Sequence, residues 1–186
     1  MLSPSYPIAT GRLRLRPLTA ADADAVHEMD SREDVTRWLY HGPRTRAETE
    51  EWLGMQLEKT RIEREGDGLV LAVEHAGRGE LLGTVVLFHR SEEHRQGEIG
   101  FVLHPRHHGH GYASEAAREM LRLGFDGLGL HRIVGRLEAR NEASARLLER
   151  LGMRREAHLR ENEWVKGEWQ DEVVYAMLDR EWRTRA

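Results

Sequence analysis

The chain has 186 residues, 39% hydrophobic and 32% charged, which is the size and balance of one compact domain over 1–186. It holds no cysteine, which excludes a disulfide framework, a thiolate zinc site, an iron–sulfur cluster and a cysteine nucleophile. A net charge of −4 calls for no nucleic-acid or anionic-membrane partner, and no apolar run nears the roughly 18 residues that cross a bilayer, so a cytoplasmic enzyme or binding domain is expected.

Leu13, Leu15 and Leu18 alternate with Arg12, Arg14 and Arg16, the two-residue period of a half-buried strand over 12–16 that Pro17 closes. Thr19 and Asp22 form a helix N-cap pattern, with Ala25, Val26 and Met29 as the inward stripe of a short helix. Thr45 and Glu48 match a capping box, and Trp52, Leu53, Met55, Gln56 and Ile62 extend that helix to about Arg64. Between these helices, Trp38 to Pro43 reads as an irregular segment carrying aromatics. Gly66-Asp67-Gly68 breaks the chain before β-rich runs at 69–75 and 81–89, joined as a hairpin through Gly77-Arg78-Gly79. Gly97 to Leu103 is the next strand, Ala113 to Phe125 an amphipathic helix, Ile133 to Leu137 a strand, and Ala143 to Leu151 a helix stopped by Gly152. Two β runs at 153–160 and 170–178 finish the chain. The order predicts an α/β (α+β) fold: a mixed, mostly antiparallel central sheet of about seven strands, helices on both faces, and one parallel crossover through the helix at 113–125.

The segment from Gly100 to Ala116 carries the most chemical information. A strand runs into Gly109 and Gly111, which open a helix, so the free N–H groups of the first turn and the positive end of the helix dipole converge on a place for an anion. Glycine lets a phosphate approach the backbone, and Ser114 adds a hydroxyl. A nucleoside-triphosphate P-loop is excluded because no lysine follows either glycine. A dinucleotide fingerprint starts correctly at Gly109-His110-Gly111, and Glu138 closes the following strand. Its third glycine is Ser114, however, and too little chain remains for a doubly wound sheet. A structural turn without a ligand is the third option. His104, His107, His108 and His110 lie in a Pro/Gly turn without fixed helical spacing, so they are expected to be exposed or phosphate-facing rather than zinc ligands.

Arg106-His107-His108-Gly109-His110-Gly111 resembles the pyrophosphate loop of the GNAT superfamily of acyl-CoA N-acyltransferases, Arg/Gln-x-x-Gly-x-Gly/Ala. Tyr112-Ala113-Ser114-Glu115-Ala116 is similar to the subgroup that includes the ribosomal-protein N-terminal alanine acetyltransferases. So are Leu13 to Leu18, Arg44 to Leu53, Asn141 to Met153 and Gly167 to Asp171 before Tyr175.

The resemblance implies a GNAT-like fold and acetyl-CoA as co-substrate. Backbone groups of Phe101, Val102 and Leu103 would pair with the pantetheine arm. Amides of Arg106, His107, His108, Gly109, His110, Gly111, Tyr112 and Ala113, with Ser114, would hold the pyrophosphate. Asn141 would hydrogen-bond the pantetheine, and it is equally a helix N-cap.

Acyl transfer from a thioester to an amine needs a base, a stabilised oxyanion and a proton for the departing thiolate. Glu98 lies where many relatives hold a catalytic carboxylate; the plainer alternative is an exposed strand residue. Many members protonate the thiolate with a tyrosine seven residues after the asparagine, where this chain has Leu148. In the similar subgroup a serine three residues after the asparagine takes that role, and Ser144 matches it. The acceptor is expected to be a primary amine, a protein N-terminal α-amine first by the subgroup. The alternatives are a small-molecule amine (aminoglycoside, polyamine or amino acid) and a CoA-binding module without turnover. Its lining is expected from Trp38 to His41, the helix at 46–64, His89, Trp164 and Trp169. Relatives are commonly dimers, so a homodimer is in view.

Overall fold

The computed structural model describes residues 1–184. Its strands are β1 (Ile8–Ala9), β2 (Leu13–Pro17), β3 (Gly68–His75), β4 (Leu81–Ser91), β5 (Gln96–Leu103), β6 (Arg132–Glu138), β7 (Arg154–Val165) and β8 (Glu168–Leu178). They form one eight-stranded sheet in the order β1-β2-β3-β4-β5-β6-β8-β7. The helices are α1 (Ala23–Asp30), α2 (Glu33–Thr36), α3 (Arg46–Gln56), α4 (Tyr112–Arg122), α5 (Glu142–Leu151) and α6 (Asp179–Arg183). Every strand pairing is antiparallel except β5 with β6, the parallel crossover through α4 that the sequence predicts. The eighth strand is β1, two residues whose apolar alternation is too short to read. No helix of the described residues is long and apolar enough to cross a membrane.

Alternation along each strand divides two cores. Leu13, Leu15, Leu71, Val73, Ile99 and Ile133 turn to the side that carries α4 and α5, where Met120, Leu121, Leu147 and Leu148 complete the main core. On the other side, Val26 of α1 and Leu53 of α3 close over Leu18, Val70 and Ala72. Arg16 lies on that second side and is fixed by Asp22 (2.7 Å) and Glu74 (2.7 Å).

The end of α3 and the facing ends of the last two strands differ from expectation for physical reasons. Helix α3 ends at Gln56 rather than near Arg64 because the following backbone is drawn into tertiary pairing. Leu2 and Ile62 exchange backbone hydrogen bonds (2.7 and 2.9 Å), Val70 donates to Lys59 O, and Tyr6 Oη donates to Thr60 O. Ile62 is fully buried, so its fit to the helical period was coincidental. The last two strands run further toward each other than expected, to a two-residue turn at Lys166-Gly167 with φ of +49° and +88°. Both residues have positive φ, as a tight hairpin turn of this kind requires. The polar run Arg160 to Glu163 conceals the strand because β7 is an edge strand, exposed along most of its length.

Candidate functional site

Strand β5 has two unequal sides. Along β4 it is paired from Gln96 to Leu103. Along β6 it is paired only at Gln96–Arg132, Gly97–Ile133 and Glu98–Val134, after which β6 continues with β8 and the two parallel strands part. His104 N donates to Leu82 O, which sets the ladder's alternation so that Gly100 and Val102 face β4. Phe101 and Leu103 therefore present their backbone groups to the gap. Leu103 O is taken by His108 Nε2 at 3.0 Å, and Phe101 lies beyond the last β5–β6 residue pair. Val102 spends its backbone groups on Thr84, its partner across β4.

Because β5 and β6 are parallel, both deliver their carboxyl ends to the same end of the sheet, and α4 and α5 begin there. Switch points of this kind in open sheets hold ligands. The turn entering α4 uses its first amides internally: Arg106 N donates to His104 Nδ1, His107 N to His104 O, and His108 N to Pro105 O. The donors free to meet an anion start at Gly109 and continue into the first turn of α4 at Tyr112, Ala113 and Ser114. Gly109 and Gly111 both sit at φ +79°, and a Cβ built on Gly109 meets no atom within 4 Å. That side of the exposed turn is open space, so no side chain stands between the backbone and an approaching anion.

The side chains around the turn brace it. The Arg106 guanidinium reaches Glu28 (2.9 Å), His107 (3.0 Å) and Glu80 (3.4 Å) instead of the anion position. His104 and His107 are buried, and burial, with the Arg106 charge adding to it, holds both pKa values below the ordinary histidine value. His110 stacks on Tyr112, its Nδ1 2.8 Å from His108 O. Arg12, which the sequence presents only as the start of a strand, is part of this assembly. It donates to His110 O (2.8 Å) and Glu115 (2.8 Å), and lies 4.7 Å from the centre of the Tyr112 ring. Glu115 also accepts from Thr10 Oγ1 and Arg12 N. Burial pushes the Glu115 pKa up, but these hydrogen bonds and the Arg12 charge outweigh it and leave the net shift downward. No sequence motif joins Arg12 to Glu115 across a separation of 103 residues.

At the start of α5, Asn141 Oδ1 accepts from Ser144 N at 3.2 Å, so the N-cap role is filled and its Nδ2 donor is left over. Ser144 is half-buried in the first turn. Leu148, at the position where many relatives carry tyrosine, is buried against Gly135 in the main core.

Glu98 stands at the last residue pair before the strands part, but on the opposite face of the sheet from α4. Arg90 Nε donates to its Oε2 at 3.0 Å, and Arg136 Nε lies 3.8 Å from the same oxygen, which leaves Oε1 outside both ion pairs. Arg136 Nη1 also lies 3.2 and 3.1 Å from the two oxygens of buried Glu172. Tyr40 comes over this face from the loop after α2 and donates to Glu163 Oε2 at 2.8 Å. Although Tyr40 is 71% exposed, desolvation of its hydroxyl at the sheet and the nearby carboxylates of Glu163, Glu172 and Glu98 push its pKa up. In the same segment, the Trp38 ring has the guanidinium groups of Arg37 and Arg140 at 4.6 and 5.9 Å from its centre. Trp164 and Trp169 do not join this face. Trp169 shares its side of β8 with Tyr175, which bonds Glu149 of α5, and the two tryptophans pack edge to face at 5.4 Å on the exposed hairpin tip.

Comparison with known proteins agrees with this geometry. Residues 12–154 match the model of the GNAT acetyltransferase domain. The chain is 34% identical over 174 residues to YoaA, an uncharacterized N-acetyltransferase of Bacillus subtilis (strain 168), covering 93% of this chain and 97% of that protein. A GNAT-family acetyltransferase from Bacillus anthracis superposes with a TM-score of 0.84 at 34% identity, covering 94% of this chain and 99% of that one. More distantly, a spermidine N(1)-acetyltransferase of Vibrio cholerae is 27% identical over 161 residues, 86% of this chain and 89% of that protein. A parallel pair that parts above a glycine turn, together with these likenesses, places the chain in the GNAT family of N-acetyltransferases.

Proposed function

We propose that residues 1–186 act as one N-acetyltransferase domain that moves the acetyl group of acetyl-CoA to a primary amine by direct attack on the thioester. The single observation that carries it is the open edge of β5 at Phe101, leading straight into the glycine turn at the start of α4. Acetyl-CoA supplies an acetyl group already activated on a thiol, which suits a chain that owns no cysteine. The free amides from Gly109 to Ser114 hold the diphosphate, Asn141 Nδ2 donates to the pantetheine, and Phe101 N–H polarises the thioester carbonyl. Glu98 Oε1 takes the proton that the acceptor ammonium must lose, and the Ser144 hydroxyl protonates the departing thiolate.

The acceptor approaches from the face of Tyr40, Glu98 and Glu172, where the carboxylates of Glu98, Glu163 and Glu172 suit a cationic amine. A protein N-terminal α-amine is the first acceptor class, supported by the subgroup resemblance. Polyamines are the second, favoured by the extent of similarity to the spermidine N(1)-acetyltransferase. The test is thiol release from acetyl-CoA over a panel holding an alanine-leading peptide, spermidine, an aminoglycoside and free amino acids. With no cysteine in the protein, every thiol detected comes from CoA. Thermal melting beside it should show stabilisation by acetyl-CoA and none by NAD(P). Binding without thiol release for any amine would leave a CoA-binding module, and stabilisation by NAD(P) alone would overturn the assignment.

A further inference from the structure

Arg136 stands between two carboxylates of different character. It holds Glu172 with Nη1 at 3.1 and 3.2 Å, whereas its Nε reaches Glu98 only at 3.8 Å. The Glu172 side chain is 5% exposed and the Glu98 side chain 20%, so the tighter pair is also the less screened one. Asn162 Nδ2, from the bulged stretch of β7, donates to Glu172 Oε2 at 3.1 Å and completes that carboxylate's shell. Across the sheet its neighbour Glu138 is also buried but is satisfied by Arg140, so Glu172 does not share its arginine with Glu138.

We propose that Glu172 is a positioning residue that sets the proton affinity of Glu98 by holding Arg136 at arm's length from it. Arg90 already pairs with Glu98 directly at 3.0 Å, so a second full ion pair from Arg136 would favour the ionised carboxylate further. Glu172 prevents this, since Arg136 spends Nη1 on it and reaches Glu98 only through Nε at 3.8 Å, and Arg136 remains paired while Glu98 carries the proton taken from the ammonium nitrogen. The charged and titratable groups around Glu98 are Arg90 on β4, Arg136 on β6, Glu172 on β8, and Tyr40 with its partner Glu163. Only Arg136 among them is shared with a second, buried carboxylate. This inference rests on Glu98 as the base, and its test separates the two.

Glutamate carboxyl carbons are followed by 13C NMR against pH in the wild type, Glu98→Gln, Glu172→Gln and Asn162→Ala, with Glu98→Gln assigning the Glu98 signal. Glu172→Gln releases Arg136 to Glu98 and removes a nearby negative charge, and both changes favour the ionised form. The Glu98 midpoint should move to lower pH by at least about half a unit, roughly threefold in proton affinity. Asn162→Ala leaves Glu172 more dependent on Arg136 and should move the midpoint the opposite way, a reversal that simple loss of structure does not produce. It also serves if Glu172→Gln fails to fold. An unmoved midpoint in the folded variants, or movement in the same direction in both, overturns the inference. The acid limb of kcat, with the alanine-leading peptide or spermidine, should follow the midpoint. If Glu98→Gln leaves that limb in place, the base assignment fails while the coupling stands or falls on the NMR shift alone.

Discussion

The two faces of β5 are built by opposite means. On the α4 face, everything proposed to hold the donor's diphosphate lies within one stretch from Phe101 to Ser114, and its working groups are backbone amides fixed by two left-handed glycines. On the α1 face, Tyr40, Glu98, Arg136, Asn162 and Glu172 come from five separate parts of the chain, and their working groups are side-chain charges. A backbone site tolerates most side chains but almost no change of φ. A charge site tolerates backbone variation but depends on pairwise distances. The first kind can therefore serve a common donor, while the second is free to diverge with the acceptor.

The sharpest way to break that contrast is at Gly111. Gly111→Val puts a β-branched side chain at φ +79°, with its Cβ 3.4 Å from Arg12 Nη2, a conformation such residues adopt only under strain. Titration calorimetry should find acetyl-CoA binding abolished, and normal affinity would refute the loop assignment. Gly109→Ala sharpens it, because a methyl there meets no protein atom and the strain is only about 1–2 kcal/mol. Melting should fall modestly while donor affinity drops tenfold or more, since the methyl stands on the open side of the turn where the phosphate is proposed to bind.

Ser144→Ala asks whether the donor side also contributes chemistry. The hydroxyl acts only as the thiolate leaves, so kcat should fall about 10- to 100-fold with acetyl-CoA affinity within twofold. Unchanged turnover would leave Ser144 as helix packing and place the proton source elsewhere.

The same contrast explains what could be read from the chain. The element order, the parallel crossover and the glycine turn were legible because each is a local pattern: leucine–arginine alternation at 13–16, a glycine pair opening an apolar stripe, a capping box at Thr45 and Glu48 that forms as expected. Glu98 could be singled out only through its neighbours on the strand, and nothing local tied it to Arg136 and Glu172. Ile62 misled because a buried residue in a tertiary backbone pair falls by chance on a helical period. Trp164 and Trp169 fell outside the strands expected at 153–160 and 170–178, so their side of the sheet could not be read, whereas the hairpin continues through both. Arg12 escaped notice because its role at the glycine turn exists only after β2 has packed beside α4.

Glu115 connects the donor turn to β2 and should respond to pH with a definite sign. Its folded pKa lies below the ordinary 4.5, so the stability it contributes is present above that value and is lost as the pH falls through the depressed folded value. Glu115→Gln should lower Tm at neutral pH by about 4–8 °C, corresponding to about 2 kcal/mol of lost hydrogen bonding. The Arg12 pair itself adds little, because that guanidinium is half exposed. Melting curves of wild type and variant should converge as the pH drops below 4.5, and a gap that stayed constant to pH 3 would show that the carboxylate charge contributes nothing.

The smallest effect is expected at Lys166, where the two faces meet mechanically. Its ammonium donates to Thr36 O and Arg37 O at 2.8 and 2.9 Å, capping the end of α2 and tying the β7–β8 turn to the loop that carries Tyr40. Lys166→Asn keeps a residue that tolerates the turn's φ of +49° and removes only the ammonium. Two partly exposed hydrogen bonds are worth about 1 kcal/mol together, so Tm should fall by about 2–4 °C. Since the tie positions Tyr40 and nothing near the glycine turn, KM for the amine should rise a few-fold while KM for acetyl-CoA stays the same. Equal movement of both constants would mean that the faces are coupled through the sheet and that their separate construction does not make them separate in function.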